Sequence, residues 1–262
     1  MHEYFVWDID PVIYGIGFLK IRWYSLMFII SFVVGYHIVR KMFRDEGQNP
    51  ETVSSLLTYA ILGVIIGARL GHVLFYSPGF YFSNPLEILM VWKGGLASHG
   101  GGIGIITAVL LFCRRFKLNF LWLLDRIAPP TALLCGLVRI GNFFNSAIYG
   151  KPTDVAWAVV FKRTDPMLLP RHPTQLYESL SYLLVFAVLC ILYWGTNSKE
   201  QRGRLWGILL VAVTAARFSI EFLKENQASF EQSMFLNMGQ LLSVPFFFLG
   251  WVLIFRNKFK ST

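Results

Sequence analysis

Residues 176–194 read LYESLSYLLVFAVLCILYW, and this stretch decides the fold class. After Glu178 it carries no charge, and its length approaches the roughly 20 apolar residues with which a helix crosses a hydrocarbon core of about 30 Å. Just ahead of it, PRHPTQLYE gathers Arg171, His172, Gln175, Tyr177 and Glu178. Beyond its other end stand Lys199, Arg202 and Arg204. Lysine and arginine in short loops resist translocation, so the basic end marks the cytoplasmic side and the polar end the outside.

The pattern recurs along the chain, where about seven runs approach spanning length. They are Ser25–Val39, Val53–Tyr76, Leu96–Cys113, Phe120–Ile140, Leu176–Trp194, Leu205–Leu223 and Met238–Phe255. Composition agrees: 55% hydrophobic and only 15% charged over 262 residues is too apolar for an ordinary soluble domain. Arg40, Lys41 and Arg44 follow the first run, Arg114, Arg115 and Lys117 the third, and Arg256, Lys258 and Lys260 the last. An odd number of spans with a basic tail inside puts the amino terminus outside and the carboxyl terminus in the cytoplasm.

The expectation is thus an all-α integral membrane protein of about seven transmembrane helices, a single polytopic domain over residues 1–262. Residues 1–20, with Trp7, Tyr14 and Phe18, form an interfacial segment, and the 142–175 connection a small external head. Glu3, Asp8 and Asp10 replace the basic region of a signal peptide, so no cleaved signal is expected. The net charge of +9 is then mostly topology, with some attraction to anionic membrane lipids and no nucleic-acid partner.

An ionisable side chain within a span is costly unless it faces a cavity or a partner. The positions that qualify are Arg69 with His72, His99, Asp125 with Arg126, Arg139, and Arg217 with Glu221. Arg217 and Glu221 are four apart on one helix face and are expected to pair. That pair either fixes helix packing or presents Arg217 to a phosphate or carboxylate, with Glu221 orienting its fork. Lys224, Glu225 and Asn226 just beyond are expected at the interface.

The segment GLVRIGNFFNSAIYG, residues 136–150, places Arg139 at the outer end of a span, followed by Asn142, Asn145 and Ser146. Glycine there lets backbone approach a ligand closely. In GGLASHGGGIG, residues 94–104, glycines surround His99, which is either simply hydrogen-bonded or a proton acceptor near neutral pH. Asp125 and Arg126 read as a structural pair. Five histidines without HxH or HxxxH spacing, and Cys113, Cys135 and Cys190 without pairing, supply no metal ligand set. Residue chemistry alone reaches a phosphate-recognising site in the outer leaflet, and leaves an anionic-solute transporter open as a rival.

At these residues the chain resembles the prolipoprotein diacylglyceryl transferase family. The family segment GxxRIGNFxN(G/S)E(L/I)(W/Y)G is matched by Gly136, Arg139, Ile140, Gly141, Asn142, Phe143, Asn145, Ser146, Tyr149 and Gly150. DPVIYGIG, IRWYSLMF with Tyr24, GARLGHVLFY, GGLASHGGGIG, RHPTQLYE and ARFSIEFLKE match as well. The resemblance implies a bacterial inner-membrane enzyme that moves the diacylglyceryl group of phosphatidylglycerol to the lipobox cysteine of a prolipoprotein signal peptide, without metal or organic cofactor. It implies Arg139, Arg217, Glu221 and His99 as catalytic residues. Tyr24, Arg69, Asn142, Asn145, Gly150, His172, Gln175, Tyr177 and Glu178 would bind substrate. Two positions depart from the pattern: Ala147 stands where the family usually has glutamate, and Val213 where some members have tyrosine. Ala147 keeps open a lipid-binding member with impaired turnover.

Overall fold

The computed structural model describes residues 4–16, 19–225 and 234–256. Glu3, Phe18, Asn226, Lys258 and Lys260 lie outside them. The described chain is mostly helical: α1 (Trp23–Asp45), α2 (Thr52–Phe75), α3 (Pro78–Ser83), α4 (Ser98–Phe116), α5 (Phe120–Phe144), α6 (Thr174–Gly195), α7 (Arg204–Glu221) and α8 (Met238–Phe255). Five of these, α1, α2, α5, α6 and α8, are long and apolar enough to cross a membrane. The two other expected runs also form helices, α4 and α7. They fall short of that measure, the first carrying a glycine cluster, His99, Arg114 and Arg115, the second Arg204, Arg217 and Glu221. Helix α1 runs on to Asp45, past the expected Val39, because Met42 and Phe43 find full burial there.

The chain divides into two compact units, Met1–Ile38 with Leu124–Thr262, and Val39–Leu123. In the second unit, Gly63, Gly67 and Gly71 recur every four residues on α2 and meet Gly100 and Gly104 of α4. A Cβ at Gly71 would lie 2.8 Å from the Gly100 Cα, and one at Gly67 2.7 Å from the Gly104 Cα. Small residues at this spacing let two helix backbones approach within lipid. Gly100 and Gly104, at this contact, therefore serve helix packing. Arg69 is buried beside them, donating from Nε to Ile88 O at 2.9 Å, from one amino group to Gly94 O at 2.5 Å and Gly95 O at 3.2 Å, and from the other to Glu87 O. Its guanidinium also lies over the Tyr81 ring, at 4.9 Å. It thereby holds the short 3-10 turns Pro85–Leu89 and Val91–Lys93 to α2.

The first unit carries the strands β1 (Phe5–Trp7), β2 (Val12–Ile16), β3 (Leu19–Arg22), β4 (Val159–Phe161) and β5 (Pro170–Arg171). Strands β2 and β3 pair antiparallel. The other three make a sheet in the order β1-β4-β5, with β1 parallel to β4 and Trp7 opposite Phe161. Part of the segment expected at the interface is thus a strand of the head. Apolar contact explains this, since Trp7 packs with Tyr149 on the buried Phe143, Val159 and Phe161. Ion pairs Lys162–Asp8 at 2.7 Å and Arg163–Asp10 at 3.0 Å add to it.

Asp125 and Arg126 are buried with 4.0 Å between their charged groups, which agrees with a structural pair. The closer partners of Asp125 are the amides of Gly203 at 2.6 Å and Trp206 at 2.9 Å. These belong to the start of α7, where backbone N–H groups lack intrahelical acceptors and the helix dipole favours an anion.

Candidate functional site

Helix α5 ends in a tight loop whose Ser146 and Ile148 have φ of 50° and 60°. The amide of Ala147 donates to Asn142 O at 2.9 Å, and Gln175, fully buried at the start of α6, donates from Nε2 to Ala147 O at 2.8 Å. Thr174 Oγ1 donates to Ile148 O at 3.2 Å. Tyr24 packs on this end of α5 because Gly141 has no side chain; a Cβ there would sit 2.8 Å from the Tyr24 ring. Gly150 is similarly enclosed, with His172 and the Leu223 carbonyl 2.7 Å from where its Cβ would be. Its amide donates to His172 O at 2.9 Å, so Gly150 acts as a close-packing position between two backbone segments.

Inside this frame lies a buried chain of charges. Arg139 Nε stands 3.0 Å from Glu178 Oε2. Oε2 accepts no hydrogen bond among the described residues, so this contact is an ion pair. Glu178 Oε1 accepts from Lys224 Nζ at 2.9 Å and from Tyr182 Oη at 3.2 Å. Lys224 Nζ donates also to Glu221 Oε2 at 3.1 Å. The Glu221 carboxylate rests on Gly239 in the first turn of α8, where a Cβ would be 2.7 Å from its Cδ. Arg217 belongs to the same surroundings, since Arg139, Arg217 and Glu178 all act electrostatically on Tyr182 and Cys135.

This corrects two expectations. Glu221 pairs with Lys224, while Arg217 Nε is buried with no hydrogen-bond partner among the described residues. Lys224, expected at the interface, is only 2% exposed. Sequence reasoning missed it as a site residue. The available signal was electrostatic: two carboxylates inside apolar helices need counter-cations, and Lys224 follows Glu221 by three residues, acid ahead of base.

Three further polar atoms around this loop, Asn145 Oδ1, Ser146 Oγ and Gln175 Oε1, are buried without partners among the described residues, as are Trp7 Nε1 and Arg204 Nε elsewhere in the unit. Buried polar groups are normally hydrogen-bonded to protein or to water, so a set of them around one loop makes it a candidate for contact with solvent or a ligand. The head above is rigidly tied. Arg171 makes a two-point contact with Asp165, at 2.6 and 3.1 Å, and reaches Glu225 at 2.5 Å. Those hydrogen bonds hold the Asp165 carboxyl below its usual range and raise Arg171. Nearby, Tyr177 Oη accepts from Trp157 Nε1 at 2.7 Å and lies 3.2 Å from His172 Nδ1.

Of the residues singled out in the sequence, Arg139, Glu178, Gln175, Asn142, Asn145, Tyr24, Gly150, His172, Tyr177, Arg217 and Glu221 all fall in this first unit. Arg69 and His99 belong to the second. Arg69 is engaged by backbone carbonyls, which gives it a structural occupation there. His99 is exposed in the first turn of α4.

The sequence matches the family model described as Prolipoprotein diacylglyceryl transferase over residues 11–256. The chain belongs to the prolipoprotein diacylglyceryl transferase family. It is 47% identical to a Chloroherpeton thalassium protein named phosphatidylglycerol--prolipoprotein diacylglyceryl transferase, over 97% of this chain and 95% of the relative. A Tolumonas auensis protein of the same name is 47% identical over 95% of each chain, and one from Bacteroides fragilis 41% over 97% and 96%. In this diacylglyceryl transferase family member, the Ala147 carbonyl accepts from Gln175, and its side chain brings no carboxylate to the loop.

Proposed function

We propose that this protein transfers the diacylglyceryl group of phosphatidylglycerol to the lipobox cysteine of prolipoproteins, the first step of bacterial lipoprotein maturation. The observation that carries the reading is the buried charge chain with Arg217 in its surroundings, whose Nε has no acceptor among the described residues. Arg139 and Lys224 pair with the carboxylates Glu178 and Glu221, and Arg217 in the same surroundings adds a positive charge. A phosphodiester supplies one negative charge.

In the reaction the cysteine thiolate attacks the glycerol carbon that bears the phosphate. A carbon–sulfur thioether bond forms, the carbon–oxygen bond breaks, and glycerol phosphate leaves with the electron pair. The leaving group passes from a monoanion towards a dianion, and fixed cations in a dry site stabilise that growing charge. Arg139 and Arg217 are assigned this task, with Glu178 and Glu221 setting the positions of the cations. Asn142, Asn145, Gln175, Tyr24, Gly150, His172 and Tyr177 would shape the lipid and peptide pockets. His99 or a carboxylate would take the thiol proton, since the thiolate is the nucleophile.

The proposed setting is the bacterial inner membrane. There the chain would act as one polytopic domain of about seven spans, amino terminus outside, carboxyl terminus in the cytoplasm and the site facing outward. Ala147 favours one second reading, a lipid-binding member with impaired turnover. Purified protein mixed with phosphatidylglycerol and a lipobox peptide tests both. Glycerol phosphate release with a peptide heavier by one diacylglyceryl group, abolished in His99→Ala or Arg217→Ala, is the expected result. Product only from Ala147→Glu would identify a disabled member, and product from neither would remove the transferase assignment.

A further inference from the structure

We propose that Lys224 is a positioning residue that draws Glu221 away from Arg217 and so leaves the Arg217 guanidinium open to the lipid phosphate. The inference rests on the phosphate site proposed above and adds to it a residue that touches neither substrate nor reacting atom.

Arg217 and Glu221 stand one helical turn apart on α7, the spacing at which arginine and glutamate ordinarily pair. They do not pair here. Glu221 Oε2 takes its hydrogen bond from Lys224 Nζ at 3.1 Å, and Arg217 Nε stays buried without an acceptor among the described residues. The ammonium also serves Glu178 Oε1 at 2.9 Å, so one cation occupies both carboxylates of the site. A compact ammonium with three rotatable donors can divide itself between two acceptors, whereas a planar arginine fork favours one carboxylate at two points.

The backbone fixes this arrangement. Helix α7 ends in a turn, with Leu223 N donating to Ile220 O at 2.9 Å and Lys224 N to Glu221 O at 3.2 Å. The loop after α5 then clamps that turn: Gly150 forms a bridge with Lys224, and Lys151 N donates to Leu223 O at 2.8 Å. The Glu221 carboxylate lies against Gly239 in the first turn of α8, where the helix dipole favours an anion. Without the ammonium, a buried carboxylate would need another cation. Arg217 is the cation one turn back on its own helix, and pairing would occupy the donors that the phosphate requires.

The full-length protein in detergent micelles, titrated with phosphatidylglycerol, tests this in Lys224→Met, Lys224→Arg, Glu221→Gln and the double variant Lys224→Met/Glu221→Gln. Lys224→Met should weaken phosphatidylglycerol binding and raise its KM by about tenfold, a change of about 1.4 kcal/mol, with a smaller fall in kcat. Lys224→Arg should lose less. Removing the competing carboxylate should reverse the binding defect alone, bringing the Kd of the double variant to within about threefold of that of the unmodified protein while kcat stays low, because Glu221 also sets the positions of the cations.

A lysine needed only to neutralise buried charge would give losses that add, so a double variant binding no tighter than Lys224→Met overturns the proposal. A Lys224→Met variant that loses kcat with KM unchanged overturns it too. Should Lys224→Met fail to fold, the double variant is compared with Glu221→Gln, and a tenfold weaker Kd between them has the same consequence. Unmodified protein that binds phosphatidylglycerol yet releases no glycerol phosphate would remove the transferase assignment, while the Kd series would still decide the role of Lys224. No binding at all would overturn both.

Discussion

Arg69 of α2 and Arg217 of α7 are both arginines set into largely apolar helices, and their surroundings differ in one respect. Arg69 donates to four backbone carbonyls and lies over Tyr81, so its hydrogen-bonding capacity is committed to the fold. Arg217 has a buried Nε that donates to nothing among the described residues, although a carboxylate lies one turn away. Arg69 is buried and Arg217 half-buried with its Nε enclosed, and it follows that burial alone does not mark a functional group. What separates them is whether the donors already have acceptors. A saturated arginine braces its neighbours, and an unsaturated one is held ready for a ligand.

The contrast breaks most readily at Arg217. Replacing it with alanine should lower transfer by about 100- to 1,000-fold, the scale on which a transition-state donor acts, while thermal melting in detergent changes little. Arg69→Ala should behave the other way. Freeing four carbonyl acceptors should destabilise the protein by about 3 kcal/mol, seen as a lower melting temperature, with activity of the folded fraction retained. If Arg69→Ala instead removed activity at unchanged stability, the distinction between the two arginines would be wrong.

A finer test concerns the glycine seam beside Arg69. Gly104→Ala forces a methyl group into the Gly63 backbone and should cost about 2 kcal/mol, whereas Gly102→Ala meets open space and should be neutral or slightly stabilising. The smallest effect is expected in the head. Because the folded Asp165 carboxyl sits below its ordinary value of 3.8, the Asp165–Arg171 pair contributes fully above that pH. Its contribution is lost as pH falls through the lower folded value. Arg171→Met should therefore flatten the acid limb of a melting-temperature profile below about pH 4 and shift the neutral plateau down.

How far these features were legible depended on the range of the interaction. Met238–Phe255 was read to the residue because a long, uncharged and mostly apolar run is a local signal; the structure adds a capping box of Asn237 and Gln240 at its start. The arginines and carboxylates within spans were visible for the same reason. Partner choice was not, because the pairing of Glu221 with Lys224 depends on a turn clamped by Gly150, far away in sequence. Strand β1 escaped detection likewise: three residues carry too little periodicity, and their partner Val159–Phe161 lies beyond several helices. Of the glycines around His99, which leave room for another helix or a lipid, Gly100 and Gly104 make the room that α2 fills.

Helix α7 is held at two points described separately above, by the Asp125 carboxylate at its amino end and by the Gly150 bridge just past its carboxyl end. Between Trp206 and Arg217 the helix axis advances about 17 Å. A rod pinned at both ends passes displacement at one pin to the other with little loss. Second-site suppressors of a weak Asp125 variant should therefore cluster around Lys151 and Leu223, at the opposite end of the helix, before they appear among the neighbours of Asp125 itself.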